Sequence, residues 1–354
     1  MSKMKVAVIG CGTIASNAHI KAYAANPNAE IKYFCDILKE KADMAVTEYG
    51  GGEAIEDYHV ILGDPEVEAV SICTPNHLHS SISIDCLRAG KHVLCEKPAA
   101  RTYAEALEMQ KVQHETGKVL NIGVVNRFNK GVNIIKEMID NGDLGELYHV
   151  YISFRAQRSI PGLGGAFTTK SIAGGGVLID WGVHFLDIVM YCSGDPQPRT
   201  VSGQAYSKLG RDMKNYAFLN MWAGPPKYSG TYDVDDFVTG LIRTEGPTIS
   251  LNGAWAQNIG VEEMYIDFLG DKAGIRLQYG ADFKIYSAQN GILLETAAKY
   301  KAGDMFQNEI DSFIDCIRTG EKLPSHIDTV ILSSKIIQAI YDSSEQRSEI
   351  VISE

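Results

Sequence analysis

Residues 5–16, KVAVIGCGTIAS, limit the fold more than any other part of the chain. Val6, Ala7, Val8 and Ile9 form an apolar run without alternation, as in a strand covered on both faces. Gly10, Gly12 and Ala15 follow at once in a G-x-G-x-x-A arrangement. Gly10 permits a tight turn and Gly12 lets backbone N–H groups approach a pyrophosphate. Ala15 lets a helix pack closely on the strand while its N-terminus faces the anion. By itself such a turn also suits an α/β protein that binds no dinucleotide. The context narrows it: IKYFCD, AVSICT, HVLCEK and VLNIGV recur between segments of helical period, which predicts a doubly wound parallel sheet over residues 1–126. Asp36 closes the second run, where a carboxylate bonds the adenosine ribose of NAD(H) and repels a 2′-phosphate. Ile37 supplies no offsetting cation, so NAD(H) is expected over NADP(H).

After Asn126 the texture changes. A helical segment, KGVNIIKEMIDNGDLG, leads into longer alternating strand patterns from ELYHVYISFRA onward, at 200–206, 238–244, 248–257, 263–269 and 274–278, joined mainly by turns. Residues 127–354 are therefore predicted to form an α+β domain with a large, mostly antiparallel open sheet. Two helical segments near the C-terminus are expected to pack back on the body. An exposed face of that sheet would suit a homodimer, tetramer or higher homo-oligomer. The formal charge of −11, with no Lys/Arg cluster, argues against nucleic acid or an anionic membrane as partner. No apolar run reaches the roughly 20 residues that span a bilayer and no signal peptide is evident, so a cytoplasmic protein is expected. The seven cysteines contain no C-x-x-C pair and read as reduced, mostly buried thiols.

Strands of a parallel sheet end at the crevice where a dinucleotide lies, so CTPNHLH and CEKPAA both belong to the nicotinamide half. The expected cofactor contacts are Gly10, Gly12, Thr13, Ile14, Asp36, Thr74, Pro75, Asn76, His79, Glu96 and Lys97. A lysine beside an oxidised nicotinamide meets a like charge and partial desolvation, which suit a base or proton relay; a solvated strand-end Glu-Lys pair is the plainer alternative. Further on, GGGVLIDWGVHFLDIVMY carries Asp180, His184 and Asp187 at helical spacing after three glycines read as a flexible lead-in. A carboxylate one turn from an imidazole can orient the ring while it takes a hydroxyl proton, although such pairs are often structural. No metal is expected, because neither this segment nor His77 and His79 complete a ligand set.

Gly10 to Ala15, Thr74-Pro75-Asn76, Glu96-Lys97-Pro98 and residues 174–191 together resemble the Gfo/Idh/MocA family of oxidoreductases, over nearly the whole chain. The resemblance implies catalytic Lys97, Asp180 and His184, a supporting Asp187, and a cis Lys97–Pro98 bond that aims the lysine. It implies NAD-dependent oxidation of a secondary hydroxyl of a sugar, glycoside or cyclitol to a ketone, in character closest to oxidation at carbon 3 of a pyranoside, including plant glycosides. Either His184 or Lys97 would accept the proton. Expected substrate contacts are Lys97, Asn126, Arg127, Arg155, Gln157, Asp180, Trp181 and His184. Arg155 and Arg158 also read as surface ion pairs, and 156–176 and 222–236 as lids, oligomer contacts or plain loops. Two other classes stay open: an NAD-dependent glycoside hydrolase that oxidises carbon 3 transiently, and a non-catalytic NAD-bound regulator.

Overall fold

The computed structural model describes residues 2–280 and 282–352, which divide into two compact units. One comprises Met1–Asn129 with Gly303–Ile331, the other Lys130–Ala302 with Leu332–Glu354. The first boundary falls three residues beyond 126. The larger difference from expectation is that 303–331 belongs to the first unit.

In that unit β1 Met4–Ile9, β2 Ala29–Cys35, β3 Glu53–Ile55, β4 Ala69–Ile72, β5 His92–Glu96 and β6 Leu120–Gly123 pair in the order β3-β2-β1-β4-β5-β6, every pair parallel. Helices α1 Ile20–Ala25, α2 Lys39–Tyr49, α3 His59–Gly63, α4 Asn76–Arg88 and α5 Tyr103–Thr116 make the connections. Local chemistry sets their ends: Thr102 Oγ1 caps α5 by accepting from Glu105 N, and Gly117, at φ 64°, closes it in a left-handed turn. β1 shows why its sequence does not alternate. Ala7 and Ile9 enter the core on one face of the sheet, Val6 and Val8 the core on the other. The helix Met305–Thr319, capped by Asp304, places Ile310, Phe313 and Ile314 in the second of these cores, which is why it joins this unit.

In the second unit, α6 Lys130–Asp140, β7 Leu147–Arg155, α7 Lys170–Ala173 and α8 Val183–Cys192 precede eight strands. These are β8 Pro198–Tyr206, β9 Phe237–Thr244, β10 Thr248–Ala254, β11 Glu263–Gly270, β12 Ala273–Gln278, β13 Phe283–Gln289, β14 Ile292–Ala297 and β15 Ile350–Val351. The order is β14-β13-β12-β11-β7-β10-β9-β8-β15, antiparallel except for β7 with β10. β10 stops short of the predicted 257 because Trp255 N and Ala256 N donate to Asp236 O and leave the ladder. The hairpin of β13 and β14 was not among the predicted strands. One face of the sheet packs on α8: Val150, Ile152 and Phe154 of β7 point into this core, with the Phe154 and Phe185 rings 5.1 Å apart.

The stretch Lys170–Cys192, contrary to the sequence reading, is long and apolar enough to span a membrane, with a mean hydropathy of 1.4 over its best window. That window is 72% buried inside the protein, as in a core helix. All seven cysteines are buried and outside any disulfide, and burial pushes the Cys11, Cys35 and Cys86 thiols up to about 12.

Membership of the Met305–Thr319 helix in the first unit is checked by Phe313→Ala, which empties a fully buried site. Denaturant unfolding is expected to show a loss of about 3–5 kcal/mol.

Candidate active site

In the first unit the candidate residues gather at the C-terminal edge of the parallel sheet, where the strand order reverses between β1 and β4. Gly10 holds φ 92°, and a Cβ there would lie 2.6 Å from Cys73 O, so only glycine lets the turn pack on the chain leaving β4. Gly12 faces open space, with nothing within 4 Å of a built Cβ. Thr13 is exposed and Ile14 half-buried at the start of the helix that follows. Asp36 ties this turn to β2: its Oδ2 accepts from Cys11 N at 2.9 Å and its Oδ1 from Leu38 N at 2.9 Å. Each carboxylate oxygen keeps a second lone pair, so a ribose hydroxyl can still be bonded. Thr74 Oγ1 is buried without a protein hydrogen-bond partner, Pro75 is exposed, and Asn76 opens α4 half-buried. The open space before Gly12, the placement of Asp36 and this orphaned hydroxyl fit a dinucleotide.

Glu96 and His79, expected at the cofactor, are both buried and bonded to protein partners. Glu96 Oε2 accepts from Lys97 N at 3.0 Å, and Oε1 pairs with His19 Nε2 at 2.9 Å. His79 lies 2.7 Å from Pro98 O through Nδ1 and 2.8 Å from Thr74 O through Nε2. His19, Ser71 and Tyr23 were not anticipated. A π turn, Ala15–His19, directs His19 into the interior, where its Nδ1 meets Ser71 Oγ at 3.1 Å and Tyr23 Oη meets the same oxygen at 2.8 Å. Lys97 is half-exposed at the end of β5, and its bond to Pro98 is cis.

Near the end of this unit Asn126 is buried, and Arg127, expected at the substrate, is turned into the protein. Its guanidinium, 1% exposed as a residue, donates through Nη1 to Pro324 O at 2.8 Å and Thr329 Oγ1 at 3.3 Å, fastening the chain before the helix Ile327–Gln346.

In the second unit Gly175 and Gly176, read as part of a flexible lead-in, are tightly packed. A Cβ on Gly176 would stand 1.8 Å from Asp235 O, and one on Gly175 2.1 Å from Tyr341 Oη. The Asp235 carboxylate accepts from Gly176 N at 2.7 Å, Leu178 N at 3.0 Å and Tyr341 Oη at 2.8 Å. Burial raises its pKa above the ordinary carboxylate value, against the pull of these donors, and burial beside Asp235 holds the Tyr341 phenol well up. Beyond this clamp a π turn, Leu178–Gly182, runs into α8. Gly182 lets the turn meet Phe154, whose Cζ would lie 3.2 Å from a Cβ. From 175 to 190 every residue is buried except Asp180, Trp181 and His184. Asp187, expected to support them, is 1% exposed.

Strand alternation turns Arg155 to the face opposite Phe154 and α8, where it pairs with Glu263. Gln157 is exposed beyond β7, and Arg158 lies 5.7 Å from the Tyr216 ring centre while donating to Gln257 O and Asn258 Oδ1. Among the described residues no group of three or more His, Cys, Asp or Glu side chains is placed to hold a metal ion.

Residues 4–124 match the family model described as an oxidoreductase family with an NAD-binding Rossmann fold, and residues 132–276 match the GFO/IDH/MocA C-terminal domain. The chain is 31% identical to D-glucoside 3-dehydrogenase from Escherichia coli (strain K12), covering 97% of this chain and 96% of that protein. It is 33% identical to levoglucosan dehydrogenase from Pseudarthrobacter phenanthrenivorans over 69% of this chain and 65% of that one. A solved levoglucosan dehydrogenase in complex with NADH and levoglucosan has the same fold, with a TM-score of 0.87 and 23% identity over 100% of both chains.

Glu96 gives the site a pH signature. Burial works to raise its pKa, but the hydrogen bond with His19 and the nearby Lys97 leave the carboxyl below its ordinary value near 4.5. An acid with a lowered folded pKa stabilises the fold above its unfolded value and loses that contribution as pH falls through the folded one. The fall in wild-type melting temperature below a pH of about 4.5 is expected to be shallower in Glu96→Gln, as followed by thermal denaturation across an acid series.

Proposed function

Because the chain belongs to the Gfo/Idh/MocA family of oxidoreductases, we propose that it oxidises a secondary hydroxyl of a sugar or glycoside to a ketone, at carbon 3 of a pyranoside. The observation that carries this reading is the strip of Asp180, Trp181 and His184, which alone reach solvent from an otherwise buried run. When bound, NAD supplies the acceptor for the hydride that leaves the carbinol carbon. The chain's own part is the proton and the alignment. The His184 imidazole, or the Lys97 amine, takes the hydroxyl proton, and the C–O bond becomes a carbonyl. Asp180, one turn before His184, orients the ring or accepts from a neighbouring hydroxyl. Trp181 offers an apolar face to a pyranose ring while the ring's hydroxyls stay with polar groups. The 31% identity to a D-glucoside 3-dehydrogenase along almost the whole of both chains supports carbon 3.

NAD(H) rather than NADP(H) is the proposed cofactor, on the carboxylate of Asp36 and the neutral, 84% exposed Ile37 beside it. A cytoplasmic location is proposed from seven reduced thiols and no disulfide among the described residues. A homo-oligomer is proposed through the face of the nine-stranded sheet that carries Tyr151, Tyr286 and Leu293, all exposed.

The test is NADH formation with NAD and a panel of glucosides, free sugars and inositols. Wild-type turnover is expected to be best with a glucoside, and His184→Ala and Lys97→Ala each to lower kcat by about 100-fold or more, the scale of a lost general base. Release of free aglycone without net NADH would replace this reading with glycoside hydrolysis.

A further inference from the structure

The backbone around Lys97 is held from both sides by buried histidines that come from different helices. Before the lysine, its own N–H is bonded to Glu96 Oε2, and the other oxygen of that carboxylate is held by His19 at 2.9 Å. After the lysine, Pro98 O receives His79 Nδ1 at 2.7 Å. Neither ring reaches solvent; each is 1% exposed.

The hydrogen-bond inventory of the first ring is complete with one assignment. Tyr23 Oη–H donates to Ser71 Oγ, Ser71 donates to His19 Nδ1, and His19 Nε2–H donates to Glu96, so every group is satisfied with a neutral imidazole. The chain of bonds therefore ends on a carboxylate that has one oxygen left for Lys97 N. The second ring faces two carbonyl oxygens, which can only accept. Donation to both would take the charged ring; in either form His79 lies between Pro98 O and Thr74 O and links them. Burial, helped by the charge of Lys97, holds the ring's pKa below its ordinary value against the pull of the two carbonyls and Glu96. The bridge joins the loop after β4 to the loop after β5, and the lysine leaves the backbone between the two restraints.

We propose that His19, acting through Glu96, and His79, acting through Pro98, are positioning residues that fix the direction in which Lys97 leaves the sheet. They touch neither substrate nor cofactor in this role. The inference rests on Lys97 acting in the reaction, as argued above. A side chain displaced by about 1 Å in such a step loses on the order of 100-fold in rate.

The test is a double-mutant cycle on the full-length protein, with single-turnover NAD reduction as the rate and NADH fluorescence titration as the binding measure. His19→Ala and His79→Ala are each expected to lower the rate by about 10- to 100-fold, with NADH affinity changed by less than about threefold, and to cause no further loss in a Lys97→Ala background. Should an alanine variant fail to fold, His19→Gln and His79→Gln keep an N–H donor at the site and are expected to recover part of the rate. Full activity in Lys97→Ala would overturn the reading of Lys97, and the positioning role with it. An inactive Lys97→Ala alongside histidine variants at wild-type rate, or losses that multiply in the Lys97→Ala background, would overturn the positioning role alone. A fall in NADH affinity that matches the fall in rate would also overturn it, by making the histidines supports of the cofactor site.

Discussion

A parallel sheet covered on both faces has one place for polar chemistry, the edge at which its strands end. In the first unit β1, β4 and β5 contribute side chains to cores above and below, so the chains that leave them carry the groups able to bind and react. The glycine turn, Asp36, Thr74 and Lys97 all lie on such exits. This burial also sets a demand, because exits packed that tightly leave backbone N–H groups that must find acceptors. The placement of Lys97 follows from how the demand is met.

Carboxylates meet it repeatedly. Asp36 uses two oxygens on Cys11 N and Leu38 N. Glu96 divides its pair between Lys97 N and His19. In the second unit Asp235 takes Gly176 N and Leu178 N, and the adjacent Asp236 takes Lys208, Leu209 and Gly210 N. An anion that accepts several amide protons fixes a loop without a strand or helix to support it. Glu96 and Asp235 hold the segments that carry Lys97 and the strip of Asp180, Trp181 and His184, so rigidity in both candidate segments comes from side chains that do no chemistry themselves.

The sequence disclosed the parts with a short-range signature. The glycine turn, the parallel strands, the α+β second domain and the partly exposed Asp180 and His184 follow from period, glycine spacing and local motif. The hairpin of β13 and β14 carries such a signature too, since Asn290 and Gly291, at φ 52° and 78°, form the Asn-Gly turn that marks such hairpins. Other features depend on partners far along the chain. His19 meets Glu96 77 residues away, and Arg127 reaches Pro324 across 197. No local pattern distinguishes Arg127 from a substrate arginine. For Arg155 the limit is different: alternation in ELYHVYISFRA sets it opposite Phe154, but no local pattern says which face of the sheet α8 covers. The glycines at 174–176 read as flexible because glycine permits both freedom and close approach, and only the neighbouring Asp235 and Tyr341 decide between them.

The most direct measurement of the central claim is the fate of hydrogen at the oxidised carbon. A glucoside carrying deuterium at carbon 3, turned over with NAD and followed by NMR of the recovered cofactor, is predicted to deliver its label to the reduced nicotinamide, with a slower rate than the unlabelled sugar. Label appearing in water, or NADH formed without label, would contradict hydride transfer from that carbon.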